Sequence, residues 1–142
     1  MLSELPSVNH LSLVITQAAA PAFLLGAVVG LISVLINRLE RILDRSRTLN
    51  ALDRSIAPDL KADLPRLERR AGLINSAIVF AISSGVTTIL LMVVAFALAF
   101  LGLAHERGVA FLFVLSVGLF GASLTQFLRE VQMALQKIDL IS

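Results

Sequence analysis

Three stretches of the chain, residues 5–37, 71–105 and 108–128, contain no Asp, Glu, Lys or Arg. Each is as long as or longer than the ~20 residues with which a helix crosses a hydrocarbon core of ~30 Å. A backbone in lipid has no water to bond to, so each window is constrained to be helical. Composition agrees: 57% of the 142 residues are hydrophobic and only 15% are charged, against about 25% charged in soluble domains. The reading is all-α, a single membrane domain over 1–142 with three transmembrane helices at about 18–36, 74–104 and 109–128. A re-entrant break near Gly85 is the alternative for the long middle window; three full spans is the simpler count.

Several function classes drop out. Without cysteine there are no disulfides, thiol nucleophiles or cysteine metal sites. A net charge of only +2, with no Tyr or Trp to stack on bases, does not suggest nucleic acid. The phenylalanines, Phe23, Phe100 and Phe111 among them, are the only aromatic residues. No Ser/His/Asp set, pocketed carboxylate pair or phosphate loop is visible. His10 and His105 read as surface residues. The expectation is a protein that is not an enzyme and needs no cofactor or metal. Ala18-Ala19-Ala20 resembles a signal-peptide cleavage site, but no Lys or Arg precedes it and Pro21 follows directly, so the segment reads as retained.

Nine of the twelve basic residues fall within 37–72, Arg129 and Lys137 follow the third span, and Arg107 alone lies between the second and third. Positive charge stays on the cytoplasmic side. The N-terminus is therefore expected outside and the C-terminus inside a cell (inner) membrane, with a cytoplasmic helical hairpin at 37–73 and a cytoplasmic C-terminal helix at 129–142.

Met1–His10 is short and polar enough for a loop or an interfacial cap, with Pro6 as a breaker, and Pro21 fits the first turn of span one. After Ile36 no Gly or Pro occurs until Pro58. Leu35, Leu39, Ile42, Leu49 and Ile56 keep one apolar stripe going past the lipid boundary. A turn at Ala57-Pro58-Asp59 precedes a second seam of Leu60, Leu64, Leu67, Ala71 and Ile74, with a kink at Pro65 or a helix start near Asp63. His105-Glu106-Arg107-Gly108 reads as a tight external turn. Phe127, Val131, Ala134, Ile138 and Ile141 repeat at fours and threes. All three spans are thus expected to extend into a cytoplasmic helical bundle.

One face of the first span is small or polar throughout: Gly26, Gly30, Ser33, Asn37 and Asp44, with Arg41 at its edge. Gly26 and Gly30 form a GxxxG pair, which lets helices approach closely in lipid. The face is either a dry packing seam or, in a homo-oligomer, a pore lining with Asn37 and Asp44 as polar rings, Asp44 favouring cations. Hydroxyls of span two, Ser76, Ser83, Ser84, Thr87 and Thr88, read as packing or helix-bending groups. Gln126 reads as an interhelical hydrogen-bonding residue. Arg38, Arg41 and Arg45 lie near the headgroups, where anionic lipid can stabilise each by ~1 kcal/mol. Both Asn37-Arg38 and Arg129-Glu130 stand at a membrane boundary, so Arg38–Glu130 and Arg129–Asp44 are candidate pairs in one charge network.

The stretches NRLERILDRSR at 37–47 and FLREVQMAL at 127–135, with the spans around them, resemble the bacterial membrane protein family catalogued as domain of unknown function 2721. The resemblance rests chiefly on Asn37, Arg38, Asp44, Arg45, Phe127, Arg129 and Glu130, and covers roughly Ile15 to Leu135. It implies a bacterial inner membrane and no particular mechanism. Two functions are expected. One is a homo-oligomeric, cation-preferring ion channel lined by the first span. The other is a structural or regulatory subunit whose cytoplasmic bundle docks a partner protein or anionic lipid.

Overall fold

The computed structural model describes residues 4–51, 62, 64–103 and 106–141. They form three helices: α1 (Glu4–Ala51), α2 (Leu64–Leu101) and α3 (Glu106–Ile141). All three are long and apolar enough to cross a membrane. At ~1.5 Å per residue the 48-residue α1 is about 72 Å long, more than twice the thickness of a hydrocarbon core. Its charged half therefore continues the same rod as its apolar half.

Two prolines depart from the sequence pattern. Residues 4–10, where the pattern predicts a loop, are helical. Pro6 lies in the first turn, where N–H groups have no intrahelical partner, so it costs no hydrogen bond. Pro21 consequently stands inside α1 instead of opening it, and it is buried. A proline there removes a hydrogen bond to residue 17, a loss that membrane helices tolerate far better than helices in water. Pro65 by contrast sits in the first turn of α2, so that helix starts at the proline instead of kinking there. Asp63, Leu60, Ile56 and the Ala57-Pro58-Asp59 turn lie outside the described residues.

The connection between α2 and α3 also falls earlier than predicted. Gly102 has φ +70°, its N–H donates to the Ala99 carbonyl at 3.1 Å, and the Leu103 N–H donates to the Leu98 carbonyl at 3.0 Å. Those two bonds with a left-handed glycine make a Schellman cap, which ends α2 at Leu101. Arg107 and Gly108, expected in a turn, belong to α3; Ala104 and His105 lie outside the described residues.

α2 is the middle helix: it packs along both neighbours, while α1 and α3 touch far less. The buried positions recur at sevens on every helix. On α1 they are Pro21, Val28, Leu35, Ile42 and Leu49. On α2 they include Leu67, Ile74, Ala81 and Thr88, interleaved with Ala77, Ser84 and Leu91. On α3 they are Ser116, Ser123 and Glu130. A repeat of seven keeps one seam in contact as helices wind round each other.

What fills the seam changes along the molecule. Toward the charged end, Leu35, Ile42, Leu49, Leu67 and Ile74 join Ala77 and Ala81 in a hydrophobic core, flanked by Leu39, Leu64, Ala71 and Phe127. In the apolar half the buried residues are mostly small or hydroxyl-bearing: Ser84, Gly85, Thr88 and Ser116. There the large apolar groups point outward, with Phe23 82% and Phe100 92% exposed. Small inside and large outside suits a protein surrounded by lipid.

Candidate functional site

The charged end of the bundle is organised around one carboxylate. Glu130 of α3 is fully buried. Arg38 of α1 donates from Nε to its Oε2, and Arg70 of α2 donates from Nε to its Oε1 at 2.8 Å. A carboxylate shielded from water is costly unless each oxygen is paired, and here a separate helix supplies each partner. Arg38 also lies over the Phe127 ring, 5.6 Å from its centroid, a cation–π placement that fixes the guanidinium plane. Nearby, Arg66 of α2 donates from Nη2 to the Met133 carbonyl of α3. Three arginines on two helices thus hold the same stretch of α3.

Beside this clasp, between α1 and α2, lies a cleft of about 490 Å³. Arg38, Arg41, Arg45 and Arg70 line it with Asn37, and Val34, Ile42 and Leu67 form its apolar walls. On α1 the three arginines fall at i, i+3 and i+7, which places them on one face. No carboxylate lines the cleft among the described residues.

The sequence pairs Arg129 with Asp44, and here the structure differs. Arg129 is exposed and makes no ion pair among the described residues, and Asp44 instead approaches Arg47 of its own helix at 3.9 Å with both side chains mostly in solvent. The cause is helix phase. Glu130 turns inward on α3, so its neighbour Arg129 must turn out. Arg41 and Arg45 line the cleft without carboxylate partners among the described residues.

The small face of α1 is uncovered. Gly26, Gly30, Ser33, Asn37 and Asp44 are all exposed in the single chain. A methyl group added at Gly26 or Gly30 would meet nothing within 4 Å. Ser33 Oγ donates to the Val29 carbonyl at 3.1 Å and satisfies itself locally; the Asn37 side chain has no protein partner among the described residues. The GxxxG pair is therefore not a seam within the subunit.

A family model described as "Protein of unknown function (DUF2721)" matches residues 18–140. The chain belongs to the DUF2721 family. No curated protein and no solved structure matches it. The match takes in the clasp, the cleft and the open face of α1 alike. In this DUF2721 chain the hydroxyls are mostly structural. Ser84 Oγ donates to the Ser116 carbonyl at 2.7 Å, Ser116 Oγ donates to the Ser84 carbonyl at 2.9 Å, and Thr88 Oγ1 meets Ser116 Oγ. Ser123 Oγ donates to the Ala77 carbonyl at 2.6 Å. Ser83 and Thr87 bond to carbonyls one turn back, both at 2.8 Å. The Gln126 amide oxygen is buried without a hydrogen-bond partner, contrary to the bonding role its chemistry predicts.

Sequence reasoning did not find Arg70 and Arg66 as partners of α3. The one available signal is the position of Arg70, which precedes the window 71–105 as closely as Arg38 follows the window 5–37.

Proposed function

We propose that this DUF2721 protein is a homo-oligomeric ion channel of the cell (inner) membrane, with α1 lining a cation-preferring path between copies. The observation that carries this reading is the uncovered face of α1 from Gly26 to Asp44. It runs through the last third of the apolar window, residues 26–37, and on into the charged half. Lipid does not solvate the Asn37 amide, and the subunit's own helices do not cover it. Three helices arranged around α2 enclose no route of their own, so a path requires several copies. The basic residues between α1 and α2 set the charged end in the cytoplasm, which puts Asn37 and Asp44 at the inner mouth. An Asp44 ring attracts cations there, and Arg41 beside it tempers that attraction.

A second reading has its own observation: the bundle keeps a hydrophobic core beyond its apolar half. A structural or regulatory subunit would use that projecting, clasped end to dock a partner protein.

The absence of native cysteine allows a direct test. Single cysteines at 26 to 45 are exposed to a small, membrane-impermeant thiol reagent in the intact oligomer. Labelling that recurs at 30, 33, 37 and 44, together with ion flux in liposomes abolished by a bulky group at 30, is the expected result. Protection of that whole face with no flux under any gradient would remove the channel and leave the docking subunit.

A further inference from the structure

The clasp around Glu130 uses only part of each arginine. Arg38 and Arg70 each bind the carboxylate through Nε. The terminal nitrogens of both have no protein partner among the described residues, and both side chains line the same cleft. A guanidinium has five N–H donors in a planar fork, so engaging Nε still leaves an edge able to grip a second anion. Arg38 is further immobilised over Phe127. Glu130 therefore acts as a positioning residue, and much of the entropy of ordering two long side chains is spent in folding, before any ligand arrives.

Arg41 and Arg45 complete the wall. They make no ion pair among the described residues, and they add two full charges to a cleft beside which the Glu130 carboxylate is already shared between Arg38 and Arg70. Fold stability gains nothing from four guanidiniums around one cavity, since like charges repel. The cavity is long enough for more than a lone halide, and Asn37 supplies a neutral amide at its rim. One wall is apolar, formed by Val34, Ile42 and Leu67, and Val34 belongs to the apolar window of α1.

We propose that the cleft of Arg38, Arg41, Arg45 and Arg70 is a binding site for a phosphate group. Planar guanidinium forks match phosphate oxygens in pairs. The phosphate has two available sources, the headgroup of an anionic phospholipid lying against Val34 or a free phosphate from the aqueous side. This site does not depend on α1 lining a conduction path, because it faces α2 and is complete within one subunit.

The test uses the full chain purified in a neutral detergent. Short-chain phosphatidylglycerol, phosphatidylcholine and inorganic phosphate are titrated separately, with binding read by native mass spectrometry and by the shift in thermal unfolding. The double variant Arg41→Gln/Arg45→Gln removes two guanidiniums that make no hydrogen bond or ion pair among the described residues. Arg129→Gln removes an exposed arginine outside the cleft. The expected result is preference for phosphatidylglycerol over phosphatidylcholine, weakened roughly 10- to 30-fold in the double variant and unchanged in Arg129→Gln. Protection by inorganic phosphate that is lost in the double variant, without lipid preference, would uphold the site and assign it to a soluble ligand. Equal binding by the wild type and the double variant, or an equal loss in Arg129→Gln, would overturn it.

Discussion

The two halves of this molecule are packed by opposite rules. In the charged half, Ile42, Leu49 and Leu67 are inside, with Leu35 and Ile74 just within the apolar windows, and most charges are outside. In the apolar half, serine, threonine, glycine and alanine are inside, while Phe96, Phe100, Phe111 and Val114 face out. Water explains the first pattern, because removing a leucine from it is favourable by about 1.5–3 kcal/mol. Where the surroundings are as apolar as leucine that drive vanishes, and close approach and hydrogen bonds between helices replace it. Glu130 stands in the charged half and obeys neither rule, since it is charged and inside.

Substitutions that trade one rule for the other give the sharpest contrast. The largest effect is expected at Glu130. Glu130→Ala leaves Arg38 and Arg70 facing each other without a counter-charge, and should cost about 3–5 kcal/mol. Denaturant unfolding in mixed micelles measures this; a change near zero would mean that water screens the clasp. Next comes Leu35→Ala, a fully buried leucine in the hydrophobic core, with an expected loss of about 2–4 kcal/mol in the same assay. A loss well below that would mean that Leu35 lies in lipid when α1 is free, and the boundary between the two rules would move toward Leu49. The smallest is Ser116→Ala, which removes the bond from Ser116 Oγ to the Ser84 carbonyl but keeps the return bond to the Ser116 carbonyl, at the cost of about 0.6–2 kcal/mol. If Ser116→Ala outweighs Leu35→Ala, the proposed division of the molecule is wrong.

The contrast also explains which features were legible in the sequence. Rules for water worked in the charged half: the stripe of Leu35, Leu39, Ile42 and Leu49 and the seam of Leu64, Leu67, Ala71 and Ile74 are placed where their spacing predicts. The same rules misplace Pro21, because they weigh a missing hydrogen bond as soluble helices do, and they read Pro6 as a breaker although in a first turn it costs none. The column of Ser116, Ser123 and Glu130 stays hidden, since a search for apolar periodicity passes over a seven-residue repeat written in polar letters. The cap at Gly102 did carry a local signal, a glycine soon after a run of apolar residues. The charged residues Glu106 and Arg107, a few positions later, draw the predicted turn past it. At the candidate site, Arg38, Arg41, Arg45 and Glu130 could be named from the sequence. Their joining by Arg70 depends on how two helices far apart in the chain are phased.

A seam built on sevens carries an ambiguity that its regularity creates. Helices can slide by one repeat, about 10 Å, and still set some small residues together, Ser123 against Ser84 one way or Ser116 against Ala77 the other. In the observed alignment of α2 and α3, Ser84 faces Ser116, Ala77 faces Ser123, and Arg70 faces Glu130, each step of seven up one helix matching a step of seven down the other. Slid one step one way, Glu130 would fall opposite position 77, an alanine, and the other way it would pass the start of α2 at Leu64. The first strands a charge among methyl groups, and both part it from Arg70. The polar residue that seems least suited to the interior is thus the one that makes the alignment unique, as a single keyed tooth does on an otherwise uniform gear.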